Sequence, residues 1–265
     1  MKKWVAGGVV GVSLVLGLVG CSGESSTGGG GGASASAAPA GQDAGNAIRA
    51  VAERSKGIES LAVEMKIEGT EQVTGKGVLR FKPDVAISME MTVAGSGASK
   101  VIVLGDAVYV GSGDGSPMVG GKPWMKIKTG DIAAQGGLDP EALTAQFRQN
   151  DPAALAKLFA ASKDVVVVGE EDFEGVKTVR YKGTIDAKAA AASDPSLQGT
   201  LDGFGEGVGE VKFDVWIDAD NLPRKTVTSV DIKDVGTTTV TVVFRDYNKP
   251  VTIEAPPADQ VASAN

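Results

Sequence analysis

Residues 210–247 read EVKFDVWIDADNLPRKTVTSVDIKDVGTTTVTVVFRDY, and this stretch contains the clearest structural signal in the 265-residue chain. Apolar and polar side chains alternate through three segments, at 210–218, 223–232 and 237–247. Alternation with a period of two is typical of strands that bury one face and expose the other to water. Because only short turns separate the segments, we predict three consecutive antiparallel strands in meander order.

Similar alternation continues toward the N-terminus, where Leu61, Val63, Met65 and Ile67 alternate with mostly polar residues. Further strands are predicted at 77–82, 85–93, 101–104, 107–111, 123–128, 164–170 and 176–185. These segments make about nine to eleven strands, mostly joined as hairpins. We therefore predict an α+β fold in which a strongly curved antiparallel sheet packs on a few helices.

Four segments have helical signals. Residues 43–60 predict an amphipathic helix with four apolar residues on one face, namely Ala47, Ile48, Val51 and Ala52. Two short helices are predicted at 140–150 and 152–162, because each begins at a proline that follows an N-cap aspartate, Asp139 or Asp151. An alanine-rich helical piece with a loop is predicted at 186–209.

The N-terminus predicts export and lipidation. Lys2 and Lys3 precede an apolar run at 5–18, which is too short to span a bilayer and fits a signal peptide. Leu18-Val19-Gly20-Cys21 matches the bacterial lipobox, so we predict a signal peptide at 1–20 and diacylation of Cys21. This places the protein outside the cytoplasm, anchored by lipid to the outer face of the cell membrane. The alternative is that Cys21, the only cysteine in the chain, is an ordinary residue beside the cleavage point.

Residues 21–42 predict a disordered linker, because they contain five consecutive glycines and no aromatic or branched apolar residue. A linker of this length has an end-to-end distance of about 25 Å. Residues 43–257 form the predicted lipoprotein domain, and 258–265 a C-terminal tail. The 33 acidic residues outnumber the 26 basic ones, and no basic stripe is present, which argues against nucleic acid as a partner.

The chain contains no histidine, which excludes Ser-His-Asp and Cys-His catalysis in their usual forms and removes the commonest transition-metal ligand. If Cys21 is acylated, no thiol nucleophile remains. We therefore predict no catalytic residues, no metal site, no cofactor and no enzymatic activity.

Three weaker motifs favour structural interpretations. Asp218-Ala219-Asp220 begins like a calcium loop, but Pro223 and Ser229 occupy its sixth and twelfth positions, so we predict a turn between strands. The glycine-rich residues 111–115 lack the spacing of a phosphate-binding loop and predict a surface loop. The acidic residues within 170–174 could supply the two carboxyls that glycoside hydrolysis needs, but we predict that they form a solvated hairpin tip.

Methionines among the apolar positions suit a surface that adapts to variable apolar shapes. Such a face forms either a plain core or a cavity for a ligand. The candidate lining consists of Val63, Met65, Ile67, Leu79, Phe81, Ile87, Met89, Met91, Phe213, Val215, Ile217, Val240, Val242 and Phe244.

Three stretches carry a resemblance to a known family. Residues 215–225 contain a Trp-x-Asp strand followed by a Leu-Pro-Arg turn, 244–257 read as a last strand running into an extended tail, and 107–110 with 124–126 fit a middle hairpin. In this order the elements resemble LolA-like lipoproteins of the LppX/LprG type. The resemblance implies a half-open barrel closed by helices, with an apolar cavity that holds acyl chains, and no catalytic residues.

The leading hypothesis is a membrane-anchored, monomeric binding protein that holds a lipid or other hydrophobic ligand, as a lipid carrier would. The alternative is a ligand-free interaction or sensory module on the same fold, which a continuous and well-packed core would favour. A third hypothesis, an enzyme, would need acidic residues clustered inside the cavity. The strand alternation instead places most acidic residues on the solvent-exposed faces of the strands.

Overall fold

The computed structural model describes residues 40–70, 72–128, 152–202, 208–232 and 236–263.

Several predictions from the sequence lie outside the described residues. They are the signal peptide, the lipidated Cys21, most of the linker, and the helix at 140–150 with its N-cap Asp139. Asp151, the predicted N-cap of the next helix, is also outside, although that helix itself is described.

The described chain contains short helices and twelve strands. The helices are α1 (Ala40–Ser55), α2 (Pro152–Phe159), α3 (Ala187–Ser193) and α4 (Gln198–Asp202), with 3-10 helices at Pro195–Leu197 and Ala258–Gln260. The strands are β1 (Ser60–Glu68), β2 (Gln72–Arg80), β3 (Ala86–Val93), β4 (Gly97–Leu104), β5 (Ala107–Ser112), β6 (Trp124–Lys128), β7 (Val166–Phe173), β8 (Val176–Asp186), β9 (Glu210–Asp218), β10 (Pro223–Ile232), β11 (Gly236–Arg245) and β12 (Val261–Ser263). None of the described helices is long and apolar enough to cross a membrane.

All twelve strands belong to one open sheet in the order β12-β6-β5-β4-β3-β2-β1-β11-β10-β9-β8-β7. Every neighbouring pair is antiparallel except β12 and β6, which are parallel. The predicted α+β fold with a curved antiparallel sheet is confirmed, and the last three long strands form the predicted meander β9-β10-β11.

The register divides the sheet into an inner face, which carries the core, and an outer face. Val63 of β1 lies opposite Phe244 of β11, and Thr226 of β10 lies opposite Val215 of β9, so these residues share the inner face. Glu64, one residue after Val63, lies on the outer face. This division follows from the alternating direction of side chains along a strand.

Helices α1 and α2 pack on each other and cover part of the inner face. The ring of Phe159 in α2 stacks on Phe213 of β9, with 4.3 Å between ring centroids. Phe213 reaches this position because Gly183 lies beside it on β8, where a Cβ would be 2.8 Å from the ring. The main helix–strand contacts of α1, α2 and α3 are with β7 and β8.

The structure corrects several predicted boundaries. Helix α1 ends at Ser55 and not at residue 60, because Gly57 and Ile58 bond back to Arg54 and Ser55 in a terminal turn. The predicted strand at 77–82 begins earlier, at Gln72.

The C-terminal end also differs from the sequence reading. Strand β11 stops at Arg245, because Asp246 and Asn248 adopt left-handed backbone conformations with φ of 53° and 57°. Within the predicted tail, residues 261–263 form β12, which the sequence analysis did not find.

Candidate hydrophobic ligand site

All fourteen candidate lining residues lie on or next to the inner face. The registers place those of β1, β2, β3, β9 and β11 on one continuous surface, with Val63 beside Gly77 and Gly77 beside Met89, for example. Phe81 follows β2, and its backbone N–H donates to the carbonyl of Glu59. Two-residue alternation therefore assigned these fourteen residues to one face of the sheet.

Nine of these residues are buried in the hydrophobic core: Val63, Leu79, Ile87, Met89, Phe213, Val215, Ile217, Val242 and Phe244. The space between α1, α2 and this part of the sheet, bordered by Val51, Leu155 and Phe159, measures about 10 Å³. A cavity of that volume holds at most about one water molecule. This half of the inner face is therefore a packed core.

The other five candidates are half-buried: Met65, Ile67, Phe81, Met91 and Val240. Ile67 lies directly opposite Val240 on one side and Val73 on the other. Val73 is also half-buried, so it extends this surface. We call Met65, Ile67, Val73, Met91 and Val240 the open strip. It lies on β1, β2, β3 and β11, away from the strands that contact the helices most.

Gly75 makes the open strip continuous. It lies between Met65 and Met91 in the register, and a Cβ built on it would be 3.5 Å from a carbon of each methionine. The two flexible thioether side chains therefore meet across the glycine. Val73 was missed in the sequence because the alternating polar and glycine residues that follow it hide the start of β2.

Met89 differs from its neighbour Met91. It is buried over Gly77, where a Cβ would be 2.4 Å from the methionine sulfur and 2.2 Å from the carbonyl oxygen of Ser88. Such distances are too short for any side chain at position 77. Met89 is therefore part of the packed core, whereas the side chain of Met91 is only half-buried.

Two larger depressions have polar linings. One, of about 380 Å³, lies mainly among outer-face residues of β1, β2, β3 and β11, including Glu64, Lys66, Lys76 and Glu90. Such charged walls do not suit an acyl chain.

The second depression, of about 480 Å³, lies between α1 and the ends of β7, β8 and β9, and we call it the α1 groove. Its apolar lining includes Ala47, Val179, Tyr181 and Ile217, and Glu170 and Asp172 are among its polar residues. Burial raises the pKa of Tyr181, and nearby Asp43 adds to this effect.

Asp218 of the Trp-x-Asp motif organises the turn after β9. Its Oδ1 accepts hydrogen bonds from the backbone N–H groups of Asp220 and Leu222, both at 2.9 Å, and its Oδ2 accepts the Nε of Arg224 at 2.6 Å. The turn interpretation is confirmed. Both carboxylate oxygens are used by these donors, and within the described ranges no three acidic side chains form a metal-binding group.

Trp216, two residues earlier, lies on the outer face. Its ring is sandwiched between Arg180, at 4.8 Å, and Lys225, at 4.5 Å, and its Nε1 donates to Glu171 at 2.5 Å. The hydrogen bond from Trp216 lowers the pKa of Glu171, with a further contribution from Arg180.

The acidic residues at the end of β7 and in the turn that follows are exposed, as predicted, and two of them, Glu171 and Glu174, bind cations. Glu171 binds Trp216 and Arg180, and Glu174 binds Arg245 at 2.5 Å. The hydrogen bond from Arg245 lowers the pKa of Glu174. These acids are therefore part of an outer-face charge network, and their arrangement is not that of two carboxyls across a cleft.

Comparisons with known proteins agree with this geometry. The chain is 28% identical over 243 residues to an uncharacterised 31.2 kDa protein of Streptomyces griseus, covering 80% of this chain and 76% of that one. It is 29% identical over 169 residues to a Streptomyces coelicolor protein described as a lipoprotein, covering 63% of this chain and about half (52%) of that relative.

Two solved structures have the same fold. The lipoprotein LppX of Mycobacterium tuberculosis superposes with a TM-score of 0.52 at 17% identity, covering 80% of this chain and 99% of that one. LprF of Mycobacterium bovis gives 0.54 at 18% identity, covering 81% and 97%.

The family model described as LppX_LprAFG lipoprotein matches residues 43–253, which is most of the chain. This family is one of lipoproteins, and membership indicates a module of the cell envelope. The chain belongs to the LppX_LprAFG lipoprotein family.

Proposed function

We propose that this protein holds a lipid or similar hydrophobic ligand against the open strip, as a carrier in the cell envelope. The half-burial of the apolar side chains of the open strip carries this proposal, because the described helices leave them without full cover. Contiguous apolar surface that remains partly accessible to solvent is a candidate site for a ligand or a partner.

The composition of the open strip favours flexible acyl chains as ligands. Met65 and Met91 have three rotatable side-chain bonds each and adapt to irregular apolar shapes. An acyl chain gains about 0.8 kcal/mol for each CH₂ group that it buries, against an association cost of about 4–15 kcal/mol. Ligands with long or multiple chains are therefore favoured over short ones.

The N-terminal features complete the proposal. A signal peptide at 1–20 directs export, lipid on Cys21 anchors the protein to the outer face of the membrane, and the segment between Cys21 and α1 tethers the folded domain, whose sheet includes β12. Two acyl chains on Cys21 would give stable anchoring. We further propose that the protein acts as a monomer, without catalysis, a cofactor, a metal ion or nucleic acid.

The packed half of the inner face favours a second candidate, a ligand-free interaction or sensory module. The space of about 10 Å³ beneath α1 and α2 is what a plain core would have. The two candidates make opposite predictions for the open strip, since the carrier brings Met91 into contact with lipid and the module does not.

Site-specific photo-crosslinking tests this difference in the membrane of the producing cell. A benzophenone amino acid replaces Met91, on the inner face, or its neighbour Thr92, which the alternation places on the outer face. After irradiation, the peptide that contains the probe is analysed by mass spectrometry. The carrier proposal expects a lipid adduct at position 91 and none at position 92.

Equal labelling of both positions would indicate contact with the bulk membrane and would contradict a specific site. The absence of any adduct at both positions, in a protein that is folded and anchored, would favour the ligand-free module.

A further inference from the structure

The two edges of the open sheet are unequal. One edge is β12, which has three residues, and the other is β7, which has eight. Among the described strands, β7 pairs only with β8. Short edge strands are protected against further pairing, whereas a long one presents a row of free backbone N–H and C=O groups.

The first half of β7 is apolar and exposed. Val166, Val167 and Val168 expose 41%, 43% and 44% of their surface. The register with β8 shifts between Val167 and Gly169, so Val168 has no Cα partner on β8. Three adjacent β-branched residues with this exposure are costly for stability alone, and they have a high preference for strand pairing.

The charges around these valines argue against a second copy of the chain as the occupant. If two β7 strands paired antiparallel about Val167, Val166 would lie opposite Val168, but Asp164 would lie opposite Glu170. Directly opposed like charges destabilise a strand pair. These opposed acids disfavour self-pairing in that register. The carboxylate of Asp164 accepts the backbone N–H of Thr184 on β8, so Glu170 is the acid of this pair that attracts a basic strand.

The α1 groove lies beside this edge on the inner face. Three acids of β7, Glu170, Glu171 and Asp172, line it together with apolar side chains such as Val179. They outnumber Lys177 of β8, the lysine among the lining residues, so the groove is acidic. A strand added to β7 would place alternate side chains over the groove. A lysine or arginine fits such a site, because its aliphatic stem contacts the apolar wall while its cation reaches the acids.

We propose that β7 is a docking edge for an extended segment of a partner protein in which basic residues alternate with β-branched apolar residues. The segment extends the sheet beyond Val166–Phe173 through backbone hydrogen bonds. Its basic side chains face Glu170 and Asp172. This proposal does not depend on a ligand at the open strip.

The test uses the full chain in mild detergent and a fluorescent seven-residue peptide of alternating lysine or arginine and valine. A peptide with glutamate in place of each basic residue is the control for charge. Binding is measured by fluorescence anisotropy, and hydrogen exchange locates the protected amides.

Two chain variants form a matched pair. Val168→Thr keeps the β-branched shape, and Val168→Pro removes a backbone donor at the bulge, a position where proline is tolerated in edge strands. A third variant, Glu170→Gln with Asp172→Asn, leaves the backbone edge intact and removes two negative charges. It carries the test if Val168→Pro fails to fold.

We expect the basic peptide to bind the natural chain and the Val168→Thr variant within about twofold of each other. Val168→Pro and the double acid variant should bind at least about tenfold more weakly, which corresponds to about 1.4 kcal/mol. New protection should appear at residues 165–173. Four outcomes would each overturn the proposal. The peptide could bind all variants equally, protect amides outside β7, or fail to bind at millimolar concentration. The chain could also form a dimer that Val168→Pro dissociates.

Discussion

Replacement of Asp218 by alanine should destabilise the domain more than any other single change to the Trp-x-Asp turn. The side chain of Asp218 is 2% exposed and that of Arg224 is 24% exposed, so the ion pair is largely shielded from water. Asp218→Ala removes an acceptor of two backbone N–H groups, one of which belongs to the buried Leu222, and leaves the cation of Arg224 without its carboxylate.

The expected loss of unfolding free energy is about 3 kcal/mol. Breaking a buried ion pair on one side costs about 3–5 kcal/mol, and the partial exposure of Arg224 places this pair at the lower end. For a domain of this size, the change lowers Tm by about 6–12 °C. Thermal and urea unfolding followed by circular dichroism measures both quantities.

Two further variants separate the contributions. Asp218→Asn keeps an oxygen that accepts from Asp220 and Leu222 but replaces Oδ2, the acceptor for Arg224, with an NH₂ donor, so it should cost less than Asp218→Ala and still be destabilising. Addition of Arg224→Met to Asp218→Ala should recover about 1 kcal/mol or more, because no uncompensated charge remains.

Asp220→Ala is the matched control, since Asp220 is exposed in the same turn, and its cost should be within about 0.5 kcal/mol. A loss for Asp218→Ala as small as that of Asp220→Ala would refute the reasoning.

Three other variants test different parts of the fold by the same unfolding assays. Gly77→Ala should cost more than about 2 kcal/mol, because the added Cβ would clash with the carbonyl of Ser88 and the sulfur of Met89. Tyr247→Phe should cost about 1–2 kcal/mol, because the phenol donates a hydrogen bond to the carbonyl of Pro223. The pKa of Asp194 is lowered from 3.8 to about 2, chiefly by its hydrogen bond from Lys157, so its stabilising contribution is complete above pH 4 and is lost as the pH falls toward 2. Asp194→Asn should therefore make stability less dependent on pH in that window.

Each of these results has a clear contrary outcome. A Gly77→Ala variant as stable as the natural chain would mean that Met89 does not pack over position 77. An unchanged Tyr247→Phe variant would show that its hydrogen bond contributes nothing net. An identical pH dependence of stability between pH 4 and 2 with and without the Asp194 carboxyl would contradict a lowered pKa of Asp194.

The sheet was predictable where polar and apolar residues alternate without interruption. Residues 210–218 show this pattern clearly, and β9 occupies that range in the structure. The start of β2 was not predictable, because Gly75 and Gly77 occupy inner-face positions where larger apolar side chains would have shown the period. Their role becomes visible only when Met65, Met89 and Met91 are placed around them.

The strand β12 depends on a parallel contact with β6, which is more than a hundred residues earlier in the chain. No local pattern reports such a pairing, and three residues are too few for a periodicity.

The division of the candidate site also required the structure. The sequence identified Phe213 and Met91 as members of one apolar face. It did not show that Phe159 covers Phe213, whereas Met91 is only half-buried. Which positions a helix covers is decided by tertiary packing.

Native mass spectrometry of the full chain released from mild detergent tests the central claim most directly, when combined with organic extraction. Protein from a lipid-producing bacterial host is compared with two variants, Met91→Glu on the open strip and Thr92→Glu on the opposite face. Met91 is a cleaner target than Met89, because Met89 is buried over Gly77 and its substitution would also disturb the core. We expect near-stoichiometric lipid on the natural chain and on Thr92→Glu, and little on Met91→Glu. Folded protein without lipid in all three samples, even after incubation with lipid, would contradict the carrier function.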